Sequence, residues 1–331
     1  MGSCAEPPDG RRVDNLAHME HLRWLDQPTL HRPTVIAAFT GWNDGGDAAS
    51  NAVRHLIEAW GAQPLAEIDP EEFTDFASVR PHVRLADGRT RSIVWPTVGA
   101  WRASTPGGDV ILVLGPEPAL RWRLFSQQII SLAQRYQAGV VITLGALLAD
   151  VAHTRPVQVI GTATDGELIS RFDLQRSRYE GPTGIVGVLH DACQTAGIDS
   201  ASLWAAVPAY ASQMPSPKAT LALVTRVCAM LGSPTPVGRL AHEAFEYEQR
   251  VSAMVHEDDD LVGYVARLET LSLDDDEDDD EDEDEAVGGE LGELGEDDRV
   301  ETGLAPIDPA AVDSDVLMAE VERFLRDQPD A

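Results

Sequence analysis

The sequence predicts an α/β fold: a three-layer α/β/α sandwich around a mixed, mostly parallel sheet, with helices added at the C-terminal side. Three observations predict it. Apolar runs of strand length alternate with amphipathic stretches of helix length between residues 33 and 233. A hairpin signal, Asp87-Gly88 between two alternating runs, interrupts that order early and makes the sheet mixed. From residue 234 to 272 the apolar residues follow an alternating four-three spacing instead, the period of packed helices.

Taken in order, residues 1–32 are polar and contain one short helical patch, "LAHMEHLRWL". "TVIAAFT" (34–40) reads as a buried strand. The helix over 47–60 has its stripe at Val53, Leu56, Ile57 and Trp60. After the hairpin comes the strand "DVILVLG" (109–115), then a helix over 118–136 with Leu124, Phe125, Ile129, Leu132 and Tyr136 on one side. "GVVITLGAL" (139–147) is the third buried strand. "PVQVIGTAT", a helix over 184–196, "SLWAAVP" and a helix over 218–231 complete the core domain. In the extension, Leu240, Ala244, Tyr247, Val251, Met254, Leu261, Val265 and Leu268 describe two helices broken at Asp258, packed on the core or on a partner. No internal repeat is present.

Charge is unevenly spread. The chain of 331 residues carries a formal −31, yet residues 274–285 are an unbroken acidic run and five more acids lie between 290 and 298. Setting those seventeen aside leaves 39 acids against 25 bases, about −14. Such a segment cannot bury enough apolar surface to offset chain entropy, so 273–307 is expected to be a disordered linker. It tethers a short amphipathic helix within 308–331, with Leu317, Val321, Phe324 and Leu325 on one face. The acidic balance argues against nucleic acid and anionic membranes as partners. Three scattered cysteines, no apolar leader and no run of spanning length lead to the expectation of a soluble, cytoplasmic chain.

Four segments carry candidate chemistry. "FTGWNDGGDAAS" (39–50) has the glycine spacing of a phosphate loop, but Asp47 stands where the lysine belongs. Two readings stay open: a turn capped by Asp44 and Asp47, or a ligand or interface loop presenting Trp42 and Asn43. "EGPTGIVGVLHDA" opens a helix behind Gly181 and Gly184, where N–H groups over 183–185 could hold an anion or carboxylate; close helix–sheet packing is the plainer explanation. "LLADVAHTRP" sets Asp150, His153 and Arg155 at the carboxyl end of a buried strand, the edge where open α/β sheets bind ligands. A His–Asp pair there could do acid–base work beside an oxyanion-holding arginine, or the loop could be pinned by its own hydrogen bonds. Arg121, Trp122 and Arg123 place two cations around an aromatic at a helix start, an exposed face being the plainer reading. No G-x-S-x-G, no metal-ligand set and no phosphate lysine is found, so no catalytic residue, metal or cofactor is assigned. Lys218 is the sole lysine; it reads as the first turn of its helix.

Together, "FTGWNDGGDAAS", "GPEPALRWRLF", "HTRPVQVIGTA", "YEGPTGIVGVLHDAC", "SLWAAVPAY" and "PSPKATLAL" resemble, in order, the proteasome assembly chaperone 2-like family in its longer actinobacterial branch. The resemblance runs from about residue 34 to 271. It implies a phosphorylase/hydrolase-like sandwich, self-association (taken as a trimer) or association with related subunits, and possible partnership with proteasome subunits without a cofactor. One departure stands out: the chain ends "RDQPDA" rather than in the hydrophobic–tyrosine–any motif with which some members dock on proteasome rings. The reading is a non-enzymatic interaction or assembly-chaperone-like protein. Its alternative is a nucleoside-like or carboxylated-ligand binder or hydrolase on the same architecture.

Overall fold

The computed structural model describes residues 21–86 and 88–277. The chain folds in the order β1 (Leu22–Trp24), β2 (Thr34–Thr40), α1 (Ala48–Ala59), β3 (Gln63–Ile68), β4 (His82–Ala86), β5 (Thr90–Val94), β6 (Val98–Thr105), β7 (Gly108–Pro116), α2 (Trp122–Arg135), β8 (Val140–Ala149), β9 (Val159–Ala163), α3 (Gly166–Phe172), α4 (Ile185–Thr195), β10 (Ser200–Pro208), α5 (Pro217–Leu231), α6 (Leu240–His256) and α7 (Asp259–Glu277).

Eight strands form one sheet in the order β1-β3-β6-β7-β2-β8-β10-β9. The centre, β7-β2-β8-β10, is parallel throughout, and both flanks pair antiparallel. Strand direction therefore favours one sense, as the mixed, mostly parallel prediction requires. The central strands are apolar without interruption because both of their faces are covered. Val35, Ala37 and Phe39 of β2 point into one core with α2 and α4, while Ile36 and Ala38 point into the other with α1 and α5. Those two cores are the spaces between three layers.

Helix ends follow from local chemistry. α5 starts where Ser216 accepts the Ala219 N–H and Pro217 presets the first turn; it stops at Gly232, whose φ of 66° ends the helix in the left-handed region. α3, which the periodicity does not announce, is fixed by Asp165 accepting from Glu167 and Leu168.

Three expectations need correction. Part of the helical patch "LAHMEHLRWL" is instead the edge strand β1, paired antiparallel with β3; the part before residue 21 lies outside the described residues. The β4–β5 hairpin forms as expected but stands as its own two-stranded sheet, so the mixed character of the main sheet comes from β1, β3, β6 and β9. α7 runs to Glu277, four residues past the expected start of the acidic linker. The rest of that linker and the helix expected within 308–331 lie outside the described residues. The two C-terminal helices with a break at Asp258 are present: Tyr247, Val251, Val255, Val265 and Leu268 pack on Ala152 and Ala211 of the core. Among the described residues no helix is long and apolar enough to cross a membrane.

Candidate functional site

Two clusters lie at the carboxyl edge of the parallel strands. In the first, β2 ends at Thr40 and the chain turns through Asp44 N–H to Gly41 O (3.1 Å) and a single 3-10 turn over Gly45–Asp47. Gly46 and Asp47 both have left-handed φ, 57° and 51°, a conformation that glycine and aspartate tolerate. Asp44 is 6% exposed, and its Oδ1 accepts the free N–H groups of Ala49 (2.8 Å) and Ser50 (3.0 Å) at the start of α1. Burial pushes its carboxyl pKa up; bonds from Ser50 and Ala49 oppose this and the neighbouring Asp47 charge adds to it. Asp47 is exposed and caps nothing with its side chain. The expectation that both acids cap the helix thus holds for Asp44 and fails for Asp47, whose backbone is turned into the left-handed region. Trp42 is 67% exposed.

Asn43 points the other way, 2% exposed. Its backbone carbonyl accepts from Ala146 N–H at the end of β8 (2.8 Å), and its Nδ2 donates to Glu117 Oε1 (2.7 Å). The same oxygen accepts the Ile185 N–H at the start of α4 (2.8 Å). Gly184 is required here, because a Cβ would fall within 2.3–2.7 Å of the Asn43 carboxamide. The anion expected at the N–H groups over 183–185 is thus a carboxylate of the chain itself. Gly181, exposed, lies against the Tyr179 ring. Sequence reasoning missed Glu117, although it stands in the quoted "GPEP"; only folding brings it to Asn43. Arg121 of the following "RWR" pairs with Glu72.

In the second cluster Asp150, His153 and Arg155 come under α6 and α7. His153 is 4% exposed, with Nδ1 on the Tyr210 hydroxyl (2.8 Å) and Nε2 on the Ser252 hydroxyl (2.9 Å). Burial first, then the Lys218 charge, lowers its pKa. Asp150 accepts instead from the Tyr264 hydroxyl (2.6 Å), a bond that pushes the phenol up to about 12. The expected His153–Asp150 pair therefore does not form, because each finds a hydroxyl from another element. Arg155 donates to the Glu269 carbonyl (3.3 Å) and Thr154 to the Glu269 carboxylate (2.5 Å). Lys218 does more than begin a helix: its Nζ bridges the His153 carbonyl (2.5 Å) and Glu248 of α6 (2.6 Å).

Both clusters are joints between elements: Asn43, Asp44 and His153 are buried in them, while Asp47, Asp150 and Thr154 stay exposed. Two apolar cavities of about 10 Å³, one bounded by Leu22, Val98 and Val113 and the other by Phe73, Pro116 and Phe125, are lined by no residue of 41–47 or 150–155. Small-molecule sites are typically ~300–1,000 Å³. The thiols of Cys193 and Cys228 are buried, which pushes them to about 12 and about 11 and leaves them unreactive. Among the described residues no group of three or more His, Cys, Asp or Glu is placed to hold a metal ion.

Apart from Tyr264 and Glu269, the residues of these joints lie within the stretch that compares with a known family. The sequence profile of the PAC2 family matches residues 38–255, from the end of β2 to the end of α6. The chain belongs to the PAC2 family. A PAC2 family protein from Streptomyces avermitilis is 43% identical over 70% of this chain and 99% of its own, with a TM-score of 0.66. A Mycobacterium tuberculosis protein described as a proteasome-assembly chaperone homologue is 45% identical over the same shares, with a TM-score of 0.64. An archaeal proteasome activator from Pyrococcus furiosus, 18% identical, shares the fold alone, with a TM-score of 0.58 over 70% of this chain and 97% of its own. Comparison with curated proteins gives no match.

Proposed function

We propose that this PAC2 protein is a non-enzymatic assembly factor that binds copies of itself and proteasome subunits in the cytoplasm. One observation carries the reading. At the ligand edge Asn43, Asp44 and His153 are buried, and their hydrogen bonds join elements or cap a helix, leaving only Asn43 Oδ1 and Asp44 Oδ2 without a partner. The mycobacterial relative, by its description, points to the proteasome as the partner class.

Surface character agrees with protein binding. The β4–β5 hairpin leaves Val83 (59%), Leu85 (57%), Ile93 and Trp95 exposed, more apolar surface than a two-stranded ribbon in water should show. Arg80, Arg84, Arg89 and Arg91 on and beside it have no ion pair among the described residues. In a chain of net −31, a basic and apolar ribbon suits the acidic body of a second copy. The test is affinity purification from the native host of the full chain and of a version ending at Glu277. Proteasome subunits in the eluate are expected; their absence from both preparations would count against the reading.

A further inference from the structure

We infer that the self-association proposed above joins unlike surfaces: the β4–β5 hairpin of one copy docks on the outer face of α6 and the α6–α7 break of the next. The inference rests on the self-binding part of that reading and says which surfaces meet. The hairpin's register decides its character. Val83 pairs with Ile93 and Leu85 with Arg91, so these four share one face; His82, Arg84, Ser92 and Val94 share the other. All eight are exposed, and the ribbon forms a sheet of its own. One face is thus three apolar side chains and an arginine in water, continued by the exposed Trp95. With Arg80 and Arg89, residues 79–95 carry four arginines against Asp87, a net +3. Two such ribbons laid together would oppose like charges, which disfavours a second hairpin as the occupant.

The complement lies in the helical extension. α6 buries Leu240, Ala244, Tyr247, Val251 and Val255 and turns Phe245 outward, 61% exposed. Residues 240–262 hold seven acids against Arg250, a net −6. Glu243 and Glu246 are exposed on α6, and Glu257, Asp259 and Asp260 are exposed at the break, near the exposed Val262. Glu246 meets only His242, and the other four have no ion pair among the described residues. An acidic surface with an apolar anchor matches an apolar face rimmed by arginines. The two surfaces also stand apart in the fold. The hairpin leads into β6, whereas the extension packs on Ala152 and Ala211, just after β8 and β10; β7 and β2 lie between β6 and β8. The contact is therefore drawn between copies.

The experiment is light scattering on the full chain at low ionic strength, with charges reversed on each surface in turn: Arg84→Glu with Arg91→Glu, and Glu246→Arg with Glu257→Arg. All four side chains are exposed, so each variant should melt within about 2 °C of wild type. Each alone should show a dissociation constant raised about 100-fold, as like charges across an interface produce. An equimolar mixture should regain the wild-type mass, because each contact between the two variants again joins opposite charges. Wild-type mass in either variant alone, or a mixture that stays dissociated, overturns the proposal. A hairpin variant that keeps its mass but no longer recovers proteasome subunits also overturns it, and assigns the ribbon to that partner. A wild-type chain already at the mass of one copy overturns the self-binding reading together with this one.

Discussion

Burial of Asp44 sets a cap against a charge. Its Oδ1 bonds two amides of α1, so Asp44→Ala should cost about 1–2 kcal/mol and a few degrees of Tm. Its folded pKa is raised, so the folded state binds the proton more tightly than the unfolded one. The stability it contributes therefore falls as pH rises from the unfolded value, about 3.9, through the folded one. Asp44→Asn keeps an acceptor and does not titrate. Its Tm relative to wild type should thus improve between pH 4 and pH 7, and a constant difference would show that the charge carries no cost. His153 has the opposite sense. Its folded pKa is lowered, so the unfolded state takes the proton first, near 6.5, and stability is lost as pH falls below that value toward the folded pKa. One such group can contribute a slope of at most about 1.4 kcal/mol per pH unit. Melting curves of His153→Gln between pH 7 and pH 5 should show a shallower fall than wild type, with the remainder from His190, also lowered by burial.

At the scale of elements, Lys218 is one of several ties between the helical extension and the core, beside the bonds of Asp150, His153 and Arg155 and the apolar contacts of Tyr247 and Val251. Lys218 joins the 150–155 loop to α6 through Glu248, a pair only partly screened, with side chains 18% and 32% exposed. Lys218→Met strands the Glu248 charge and should cost about 1–3 kcal/mol, less than the fully buried case because water reaches the pair. Hydrogen exchange checks it: amides of α6 should exchange faster while those of β2 and β8 keep their protection. The hairpin predicts a contrasting result. Val83→Ser with Ile93→Ser should leave Tm nearly unchanged, since both side chains face water, but should reduce the self-associated mass seen by light scattering. These two elements also show what the sequence could disclose. The period of α6 and α7 was legible because Tyr247, Val251, Val265 and Leu268, all on the four-three spacing, face one surface. The hairpin's turn was legible from Asp87-Gly88, but its separation from the main sheet was not, because pairing partners are chosen by tertiary contact. β1 was misread for the same reason: three residues carry too little period, and β3 decides their conformation.

At the scale of the molecule, local pattern announced the layers and the central strands, and six ordered segments pointed to the PAC2 family. The joints were beyond it. Asn43 meets Glu117 across 74 positions, Glu117 meets Ile185 across 68, and His153 meets Tyr210 across 57, distances at which spacing says nothing. The sequence brought Asp150 and His153 together because they are three apart; the fold gave each a different hydroxyl. What looked like a phosphate loop became a buried carboxylate clasp, and the protein is read as one that works through its surface. Native mass spectrometry of the purified full chain, alone and mixed with the native host's purified proteasome α-subunits, tests this most directly. The account predicts a homo-oligomer alone and a stoichiometric complex in the mixture. A chain that stays monomeric and separate from the α-subunits in both samples would contradict it.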